Sequence, residues 1–198
     1  MNIGIYIYDH AEVLDFSGPF EVFSKANRLG ASDINTFLIS ESDHPVVARG
    51  GFKVLANYST QNHPKIDWLV VVGGLHQKEM IKEDVIGWLA LVADSAELVA
   101  SVCTGVFLLA KASLPKGLTL TTHWEDIEDL RVQFPGLNVV GDKRWVRSGK
   151  YITSGGVSAG IDMSLHLVAK QYGLSLAKKV ARQMEYNWSN TNKVQLKS

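Results

Sequence analysis

Four short apolar runs, rich in β-branched residues and bounded by turn formers, constrain the fold of this chain more than any other feature. They are residues 3–8, 36–40, 68–72 and 98–102. Such runs are typical of strands that are buried on both faces of a sheet. Because stretches with helical spacing lie between them, the pattern predicts a mostly parallel sheet covered by helices on both sides, which is a three-layer α/β sandwich.

The predicted helices carry apolar residues at the spacing of one buried face. They cover residues 19–29, 78–93, 105–110, 159–172 and 174–188. Pro19 fits a first helical turn, where its fixed φ and missing N–H are harmless. The run 105–110 is apolar on every side, which predicts a helix enclosed within the domain. Strands and helices in this order predict a flavodoxin-like arrangement.

Two local signals predict further structure. Residues 147–150 separate two short apolar segments, which indicates a β-hairpin with its turn at Ser148-Gly149. Thr122 is followed three residues later by Glu125, the spacing of a capping box, so we expect Thr122 to cap another helix.

Length and charge limit the classes of function. The 198 residues are 46% hydrophobic, which fits one domain over residues 1–189 followed by a polar tail at 190–198. Lys plus Arg and Asp plus Glu number 20 each, so the formal net charge is +0. Since no excess positive charge attracts a phosphate backbone, we expect no nucleic acid partner.

Cysteine usage and apolar stretch lengths indicate the compartment. The single cysteine cannot form an intramolecular disulfide, and the first residues lack the pattern of a signal peptide. The longest apolar stretches are shorter than the roughly 20 residues that a membrane helix requires. We therefore expect a cytoplasmic protein with no membrane partner.

The single cysteine, Cys103, lies between an apolar strand and an apolar helix, with small residues two positions away on each side. This is the pattern of a nucleophile elbow, a tight strand-to-helix turn that presents a reactive side chain. A helix N-terminus at the sulfur predicts a thiol exposed and ionisable, with a pKa below its usual value of about 8.5. The alternative is that Cys103 is a small buried hydrophobic residue.

The turn SVCTG at 101–105 resembles the cysteine motif of the DJ-1/PfpI superfamily, also called class I glutamine amidotransferase-like. LDFSGP at 14–19 and VGG at 72–74 resemble two further motifs, although Val72 stands where the superfamily has proline. TTHW at 121–124 and GGVSAGID at 155–162 resemble the branch that contains isonitrile hydratase and the amidotransferase-like domains of AraC-type regulators.

The resemblance implies roles for two residues. It implies that Asp15 hydrogen-bonds the nucleophilic cysteine and handles a proton, whereas the alternative is a cap for the helix at Pro19. Thr104 stands where protease-like members have histidine, so a peptidase is not expected. The resemblance implies that the Thr104 hydroxyl orients substrate or water; alternatively, it satisfies backbone groups in a first helical turn.

Three further positions are candidates for binding. An amide of the Gly73-Gly74 turn can donate to negative charge that develops beside the sulfur, although a tight turn alone would explain both glycines. His123 can contact a ligand or transfer a proton, or it can be structural. Asp162 is expected to brace the helix that begins near it. No histidines have metal-ligand spacing, so we expect neither a metal nor a cofactor.

The leading hypothesis is a cysteine-dependent hydro-lyase or hydrolase that acts on a small carbon–nitrogen compound, as isonitrile hydratase does, with Cys103 as nucleophile and Asp15 as general acid and base. A second hypothesis is a small-molecule or redox sensor that uses the same pocket without turnover. A third is glyoxalase or deglycase activity on 2-oxoaldehydes. Members of the superfamily usually form homodimers, and surface aromatic residues such as Trp145 or Trp188 could contribute to the interface.

Overall fold

The computed structural model describes residues 1–112, 114–188 and 191. In chain order the strands and helices are β1 (Asn2–Tyr6), α1 (Val13–Leu29), β2 (Asn35–Ser40), β3 (Val46–Val47), β4 (Lys53–Val54), β5 (Tyr58–Ser59), β6 (Trp68–Val71), α2 (Glu83–Ser95), β7 (Leu98–Val102), α3 (Gly105–Lys111), β8 (Thr119–Leu120), α4 (Ile127–Gln133), β9 (Asn138–Val139), β10 (Trp145–Ser148), β11 (Tyr151–Ser154), α5 (Ala159–Tyr172) and α6 (Leu174–Gln183). Short 3₁₀ turns cover Arg49–Gly51 and Trp124–Asp126.

The main sheet has seven strands in the order β10-β11-β7-β6-β1-β2-β5. Neighbouring strands run parallel except β10 and β11, which form an antiparallel hairpin at one edge. Strand β1 lies near the centre, where Ile3 is in register with Thr36 of β2 and Trp68 of β6. The predicted mostly parallel α/β sheet is therefore confirmed.

Burial shows that both faces of the sheet are covered. Every residue of β6 and β7 is buried, which requires packing partners above and below the strand. Helices α1, α5 and α6 pack against one another, and α2 packs against α3. The residues of α3 from Gly105 to Leu109 are buried, as the uniformly apolar sequence predicts.

The predicted strands agree with the observed ones to within two residues, and the strand over 98–102 agrees at both ends. The first strand ends at Tyr6 rather than at Tyr8. The hairpin at the sheet edge is also confirmed, but β10 extends through Ser148, so the turn is formed by Gly149 and Lys150. The two-residue strands β3, β4, β5, β8 and β9 were not predicted, because so few residues carry no periodic signal.

The prediction that a helix begins at Pro19 is wrong. Helix α1 begins at Val13 and contains Pro19 in its interior. A proline there removes one backbone hydrogen bond, but the turn before it is held by other contacts. Phe16 is buried in the core, and the Ser17 hydroxyl donates to the Val13 carbonyl at 2.8 Å.

The predicted helix over residues 78–93 is also placed too early, because α2 begins at Glu83. Ile81, counted as part of the apolar face, is 78% exposed. Side-chain contacts hold the preceding residues in a non-helical turn: Glu79 accepts a hydrogen bond from Tyr6 at 2.5 Å and pairs with Lys82 at 2.9 Å. Tertiary contacts therefore override the helical spacing of this stretch.

Two predictions near the C-terminal half need correction. Thr122 does not form a capping box; its hydroxyl donates to the Cys103 carbonyl at 2.9 Å, and α4 begins only at Ile127. Helix α6 ends at Gln183 rather than at Trp188.

Trp145 and Trp188, the two aromatic residues named as candidates for a dimer interface, are partly buried and pack against the core. The predicted tail over 190–198 lies outside the described residues, except for Thr191.

In the described part of the chain, none of the helices combines the length and the apolar content needed to cross a membrane.

Candidate active site

The carboxyl ends of three central strands bring the predicted site residues together. Cys103 follows β7, Gly73 lies two residues after β6, and Asp15 lies in the first turn of the helix that follows β1. Because these strands are neighbours in the sheet, their ends meet at one edge, which is where open parallel sheets bind ligands.

The cysteine turn has the geometry of a nucleophile elbow. Cys103 has a φ of 55°, a left-handed conformation that non-glycine residues adopt rarely. Small residues surround it because the backbones approach closely: a Cβ on Gly105 would lie 2.2 Å from the Val71 carbonyl oxygen, and one on Gly73 would lie 2.6 Å from the Thr104 nitrogen. The predicted elbow is therefore present.

Asp15 is fully buried and is held by two backbone hydrogen bonds. The amide of Gly73 donates to one carboxylate oxygen and the amide of Val157 donates to the other, both at 3.1 Å. The Cys103 thiol lies close enough to favour the charged form of this carboxyl. Burial raises the pKa of Asp15 to about 7, with a further contribution from Glu12, while the two amides and the thiol oppose the rise.

The structure excludes one of the two interpretations of Asp15, and the proton-transfer role stays a prediction. A cap for a helix that begins at Pro19 is excluded, because α1 already begins at Val13. A buried carboxyl that titrates near neutral pH and contacts a thiol can accept and return a proton during a reaction. The geometry therefore favours proton transfer.

The expectation of an exposed thiol with a lowered pKa is wrong. Cys103 is only 8% exposed. Burial and the nearby Asp15 carboxylate raise the pKa of the thiol, and the hydrogen bond from the Thr104 amide only partly offsets this. The thiol is therefore protonated at rest, and a base must remove its proton before it can act as a nucleophile.

The amides of the glycine turn already have partners. The Gly73 N–H is bound to Asp15, and the Gly74 N–H donates to the Thr104 hydroxyl at 3.0 Å. The predicted role of these amides as donors to a developing charge therefore does not fit the resting structure. Their function here is to hold Asp15 and Thr104 against the cysteine turn.

Thr104 links the cysteine turn to the glycine turn by hydrogen bonds. Its hydroxyl donates to the Gly74 carbonyl at 3.0 Å while accepting the Gly74 amide hydrogen. This is a backbone-satisfying role, close to the alternative considered for this residue. For Thr104 to orient water or substrate, its hydroxyl would have to release Gly74.

His123 lies beyond Thr122, on the wall of a neighbouring cleft. Its ring packs directly on Gly156, where a Cβ would lie 2.2 Å from the His123 Cδ2 atom. Its Nδ1 atom lies 3.4 Å from an Asp126 oxygen. His123 is thus placed to contact a ligand in the cleft rather than the sulfur.

The cleft beside the cysteine turn has a volume of about 820 Å³. Two of its lining residues contact the Cys103 backbone: Thr122 binds the carbonyl at 2.9 Å, and the Gly155 carbonyl accepts the Cys103 amide at 3.3 Å. Trp124, which is 77% exposed, stands at the same cleft. A small molecule bound there would lie next to the cysteine turn.

Asp162 has the bracing role that the sequence indicated. Arg144 binds it at 2.5 Å, and the Tyr186 hydroxyl donates to its other oxygen at 3.1 Å. Burial raises the pKa of Asp162, and the Arg144 guanidinium and the hydrogen bonds oppose this rise. The network ties α5 to the segment before β10 and to the residues after α6.

Several residues at the site were missed in the sequence. Val157, with a φ of 51°, donates its amide hydrogen to Asp15. It lies in the GGVSAGID segment that resembles the superfamily, so this motif could have identified it as a site residue. His76 packs on Phe107 with ring centroids 4.4 Å apart, and burial lowers its pKa. Tyr8 lies buried close to Cys103. No sequence pattern marks these last two.

Over residues 1–112, 114–188 and 191, no group of three or more His, Cys, Asp or Glu side chains could hold a metal ion.

Comparison with known sequences gives consistent matches. The sequence profile of the DJ-1/PfpI family matches residues 1–170. The isonitrile hydratase of Pseudomonas putida is 31% identical over 188 residues, which cover 94% of this chain and 78% of that protein. The HTH-type transcriptional regulator GbdR of Pseudomonas aeruginosa is 25% identical over 186 residues, which cover 93% of this chain and 50% of the regulator. This chain therefore spans about half the length of that regulator.

The solved structures agree. The crystal structure of a ThiJ/PfpI family protein from Pseudomonas syringae superimposes with a TM-score of 0.85 at 25% identity, covering 95% of this chain and 76% of that one. The family resemblance predicted from the cysteine turn and its accompanying motifs is confirmed, and so is the flavodoxin-like fold.

Proposed function

Because the chain belongs to the DJ-1/PfpI family, we propose that it is a cysteine-dependent enzyme that hydrates a small isonitrile to an N-substituted formamide. The observation that carries this proposal is the juxtaposition of the Cys103 thiol and the buried Asp15 carboxyl, whose pKa is about 7. A nucleophile and a base in contact are what covalent catalysis requires.

The recessed thiol favours this substrate class. Cys103 is only 8% exposed, so a bulky reacting group would have to displace the surrounding turns. An isonitrile presents its reacting carbon at the tip of a narrow linear group. In this proposal such a group reaches the recessed sulfur while the remainder of the molecule stays in the cleft lined by Thr122 and His123.

The first half of the reaction forms a covalent adduct. Asp15 takes the proton from the Cys103 thiol, and the sulfur forms a bond to the terminal carbon of the isonitrile. Asp15 then gives the proton to that same carbon, so the product is a thioimidate with a new C–H bond and a carbon–nitrogen double bond. No group leaves in this half.

The second half consumes water. A water molecule adds to the thioimidate carbon, and Asp15 carries one of its protons to the nitrogen. The carbon–sulfur bond then breaks, the electron pair stays on sulfur, and the hydroxyl proton returns through Asp15 to the thiolate. The product is the formamide, and the net change is the addition of one water molecule to the isonitrile.

The test is turnover of an alkyl isonitrile, followed by the formyl proton signal of the product in an NMR spectrum. Replacing Cys103→Ala should abolish turnover, whereas Ser101→Ala should not. Ser101 is a matched control because its buried hydroxyl, two residues before Cys103 in β7, has no hydrogen-bond partner among the described residues. Retained activity in a folded Cys103→Ala protein contradicts the proposal.

Mass spectrometry tests the order of the steps. The adduct on Cys103 should weigh as much as the protein plus the whole isonitrile, because addition expels nothing. In heavy water the formyl position of the product should carry deuterium, since its hydrogen comes from the exchangeable thiol. An adduct that has lost part of the substrate would indicate acyl transfer instead.

A second candidate is a ligand sensor, and the match to a transcriptional regulator favours it. In that case the same cleft binds a small molecule without converting it. The sensor would be supported by stabilisation of the protein on ligand addition, with no product formed and with the same stabilisation in Cys103→Ala.

A further inference from the structure

Tyr8 lies two residues beyond the end of β1 with its side chain buried against the cysteine turn. The residue is 3% exposed, and its ring is stacked on that of Tyr6, with centroids 6.2 Å apart. The hydroxyl oxygen has no hydrogen-bond partner of good geometry among the described residues. A buried hydroxyl left without a partner costs free energy, so its retention requires an explanation.

The groups around this hydroxyl belong to the reaction centre. Thr104 lies close enough to favour the charged form of Tyr8, and the charges of Asp15 and Cys103 act on it as well. The Thr104 hydroxyl already exchanges two hydrogen bonds with Gly74, and among the described residues no hydrogen bond of good geometry joins it to Tyr8. The Tyr8 O–H is thus a buried donor, close to the turn that carries the sulfur, without a partner of good geometry at rest.

A neutral thiol explains why the hydroxyl is unpartnered. Its sulfur is a weak acceptor, and its hydrogen can be donated to the nearby Asp15 carboxylate. Once the proton has moved to Asp15, the sulfur becomes a charged, strong acceptor. The amides of Gly73 and Gly74 are already hydrogen-bonded to other groups. The thiolate therefore receives the backbone amide of Thr104 as a donor, but none from the glycine turn.

We propose that Tyr8 is a further catalytic residue of this site, whose O–H donates a hydrogen bond to the Cys103 sulfur after the thiol has lost its proton. This inference deepens the proposed function and rests on it for the reaction that the thiolate serves. The same hydrogen bond would stabilise the sulfur again as a leaving group when the carbon–sulfur bond breaks.

Tyr8 can keep this role at every pH at which the reaction runs. Burial raises the pKa of Tyr8 well above its usual value, and the charge of Glu79 adds to the rise, so the hydroxyl keeps its proton. The other acidic groups that act on the thiol are Asp15, Asp126 and Glu12. Removing the Tyr8 oxygen leaves these three acidic groups in place.

The experiment is the pH dependence of Cys103 alkylation by iodoacetamide, followed by intact-protein mass. The chain has a single cysteine, so every added mass reports on this thiol. In Tyr8→Phe we expect alkylation at neutral pH to be roughly tenfold slower or more, with the apparent pKa of the thiol raised by about one unit or more, as for a lost hydrogen bond to a charged group.

The matched control is Tyr6→Phe, which removes the same atom from the neighbouring ring. The Tyr6 hydroxyl donates to Glu79 rather than toward the sulfur. We expect this variant to be less stable than the wild type but to keep its thiol titration. A Tyr8→Phe protein that titrates like the wild type, or a Tyr6→Phe protein that shifts by the same amount, overturns the inference.

A second variant covers the case in which Tyr8→Phe fails to fold. Placing 3-fluorotyrosine at position 8 keeps the ring and the hydroxyl but makes the O–H a stronger donor. The apparent pKa of the thiol should then fall below that of the wild type, and an unchanged value overturns the inference. Because alkylation needs no isonitrile, failure here is distinguishable from failure of the hydration assay.

Discussion

The thiol of Cys103 lies close to the carboxyl group of Asp15, which is fully buried. One residue comes from the turn after β7, and the other from the first turn of α1. Both have pKa values raised by burial, so at neutral pH the pair holds the proton that the reaction must move.

The rate of isonitrile hydration should rise with pH around the pKa of Asp15, about 7, because the carboxylate is the form that accepts the thiol proton. Asp15→Asn should lower kcat/KM by about a hundredfold or more and should remove this rising limb. The measurement is the pH profile of kcat/KM for both proteins.

Glu12→Gln is the control for that profile. The negative charge of Glu12 raises the pKa of Asp15, so its removal should shift the rising limb to lower pH while activity remains. A shift in the opposite direction, or an unchanged limb in Asp15→Asn, would assign the titration to another group.

Stability should depend on pH through the same carboxyl. The pKa of Asp15 is raised from 3.8 to about 7 by folding, so between these values the folded protein holds a proton that the unfolded chain has lost. The free energy of unfolding should therefore fall as pH rises across this range, by about 4 kcal/mol at most, and level off above it.

Denaturant titrations at about pH 5 and about pH 8 measure this dependence. In Asp15→Asn the decrease between the two conditions should be smaller than in the wild type, because the titrating group is absent. Equal decreases in both proteins would show that Asp15 does not carry the effect.

Gly73→Ala should disrupt the cysteine turn. The added Cβ would lie 2.6 Å from the Thr104 nitrogen and 2.7 Å from the Cys103 Cβ, so one of the two turns must shift. We expect a loss of about 1–3 kcal/mol in the free energy of unfolding. A displacement of about 1 Å at the sulfur would lower turnover by about a hundredfold.

The control for this substitution is Gly87→Ala in α2, where nothing lies within 4 Å of the new Cβ. It should be neutral or stabilise the helix by about 0.5–1 kcal/mol. Thermal unfolding and turnover of both variants decide the question; similar behaviour of the two would argue against close contact at Gly73.

Gly156→Ala should displace the His123 ring, since the new Cβ would lie 2.2 Å from its Cδ2 atom. If His123 contacts substrate in the cleft, KM should rise more than kcat falls. Gly141→Ala provides the comparison: Gly141 lines the same cleft, but its Cβ would meet open space. Steady-state kinetics that show the reverse pattern would place His123 in the chemical steps.

Asp162→Asn should destabilise the protein by about 1–3 kcal/mol, because Arg144 would lose its charged partner at a partly buried site. Glu21→Gln removes the partner of Lys25 from an i,i+4 pair in α1 whose Glu21 side chain is exposed, and it should change stability by no more than about 0.5 kcal/mol. Chemical denaturation of both variants tests this. An Asp162→Asn loss as small as that of Glu21→Gln would show that the network does not brace the fold.

The amino-acid sequence was sufficient to predict the architecture and to single out Cys103 and Asp15 as candidate site residues. Apolar strand runs such as 98–102 are read correctly because burial on both faces leaves an unbroken local pattern. Cys103 and Asp15 were found because small neighbours mark the tight turn and because the motifs around them resemble a family. These are signals carried by residues adjacent in the chain.

The use of those residues depends on tertiary contacts. Burial against distant segments raises the pKa values of Asp15 and Cys103, and no local pattern carries that information. The commitment of the Gly74 amide to Thr104, and the placement of the Tyr8 hydroxyl beside the sulfur, likewise depend on contacts between elements far apart in the chain. Spacing predicts which groups are present, whereas packing sets their protonation and their partners.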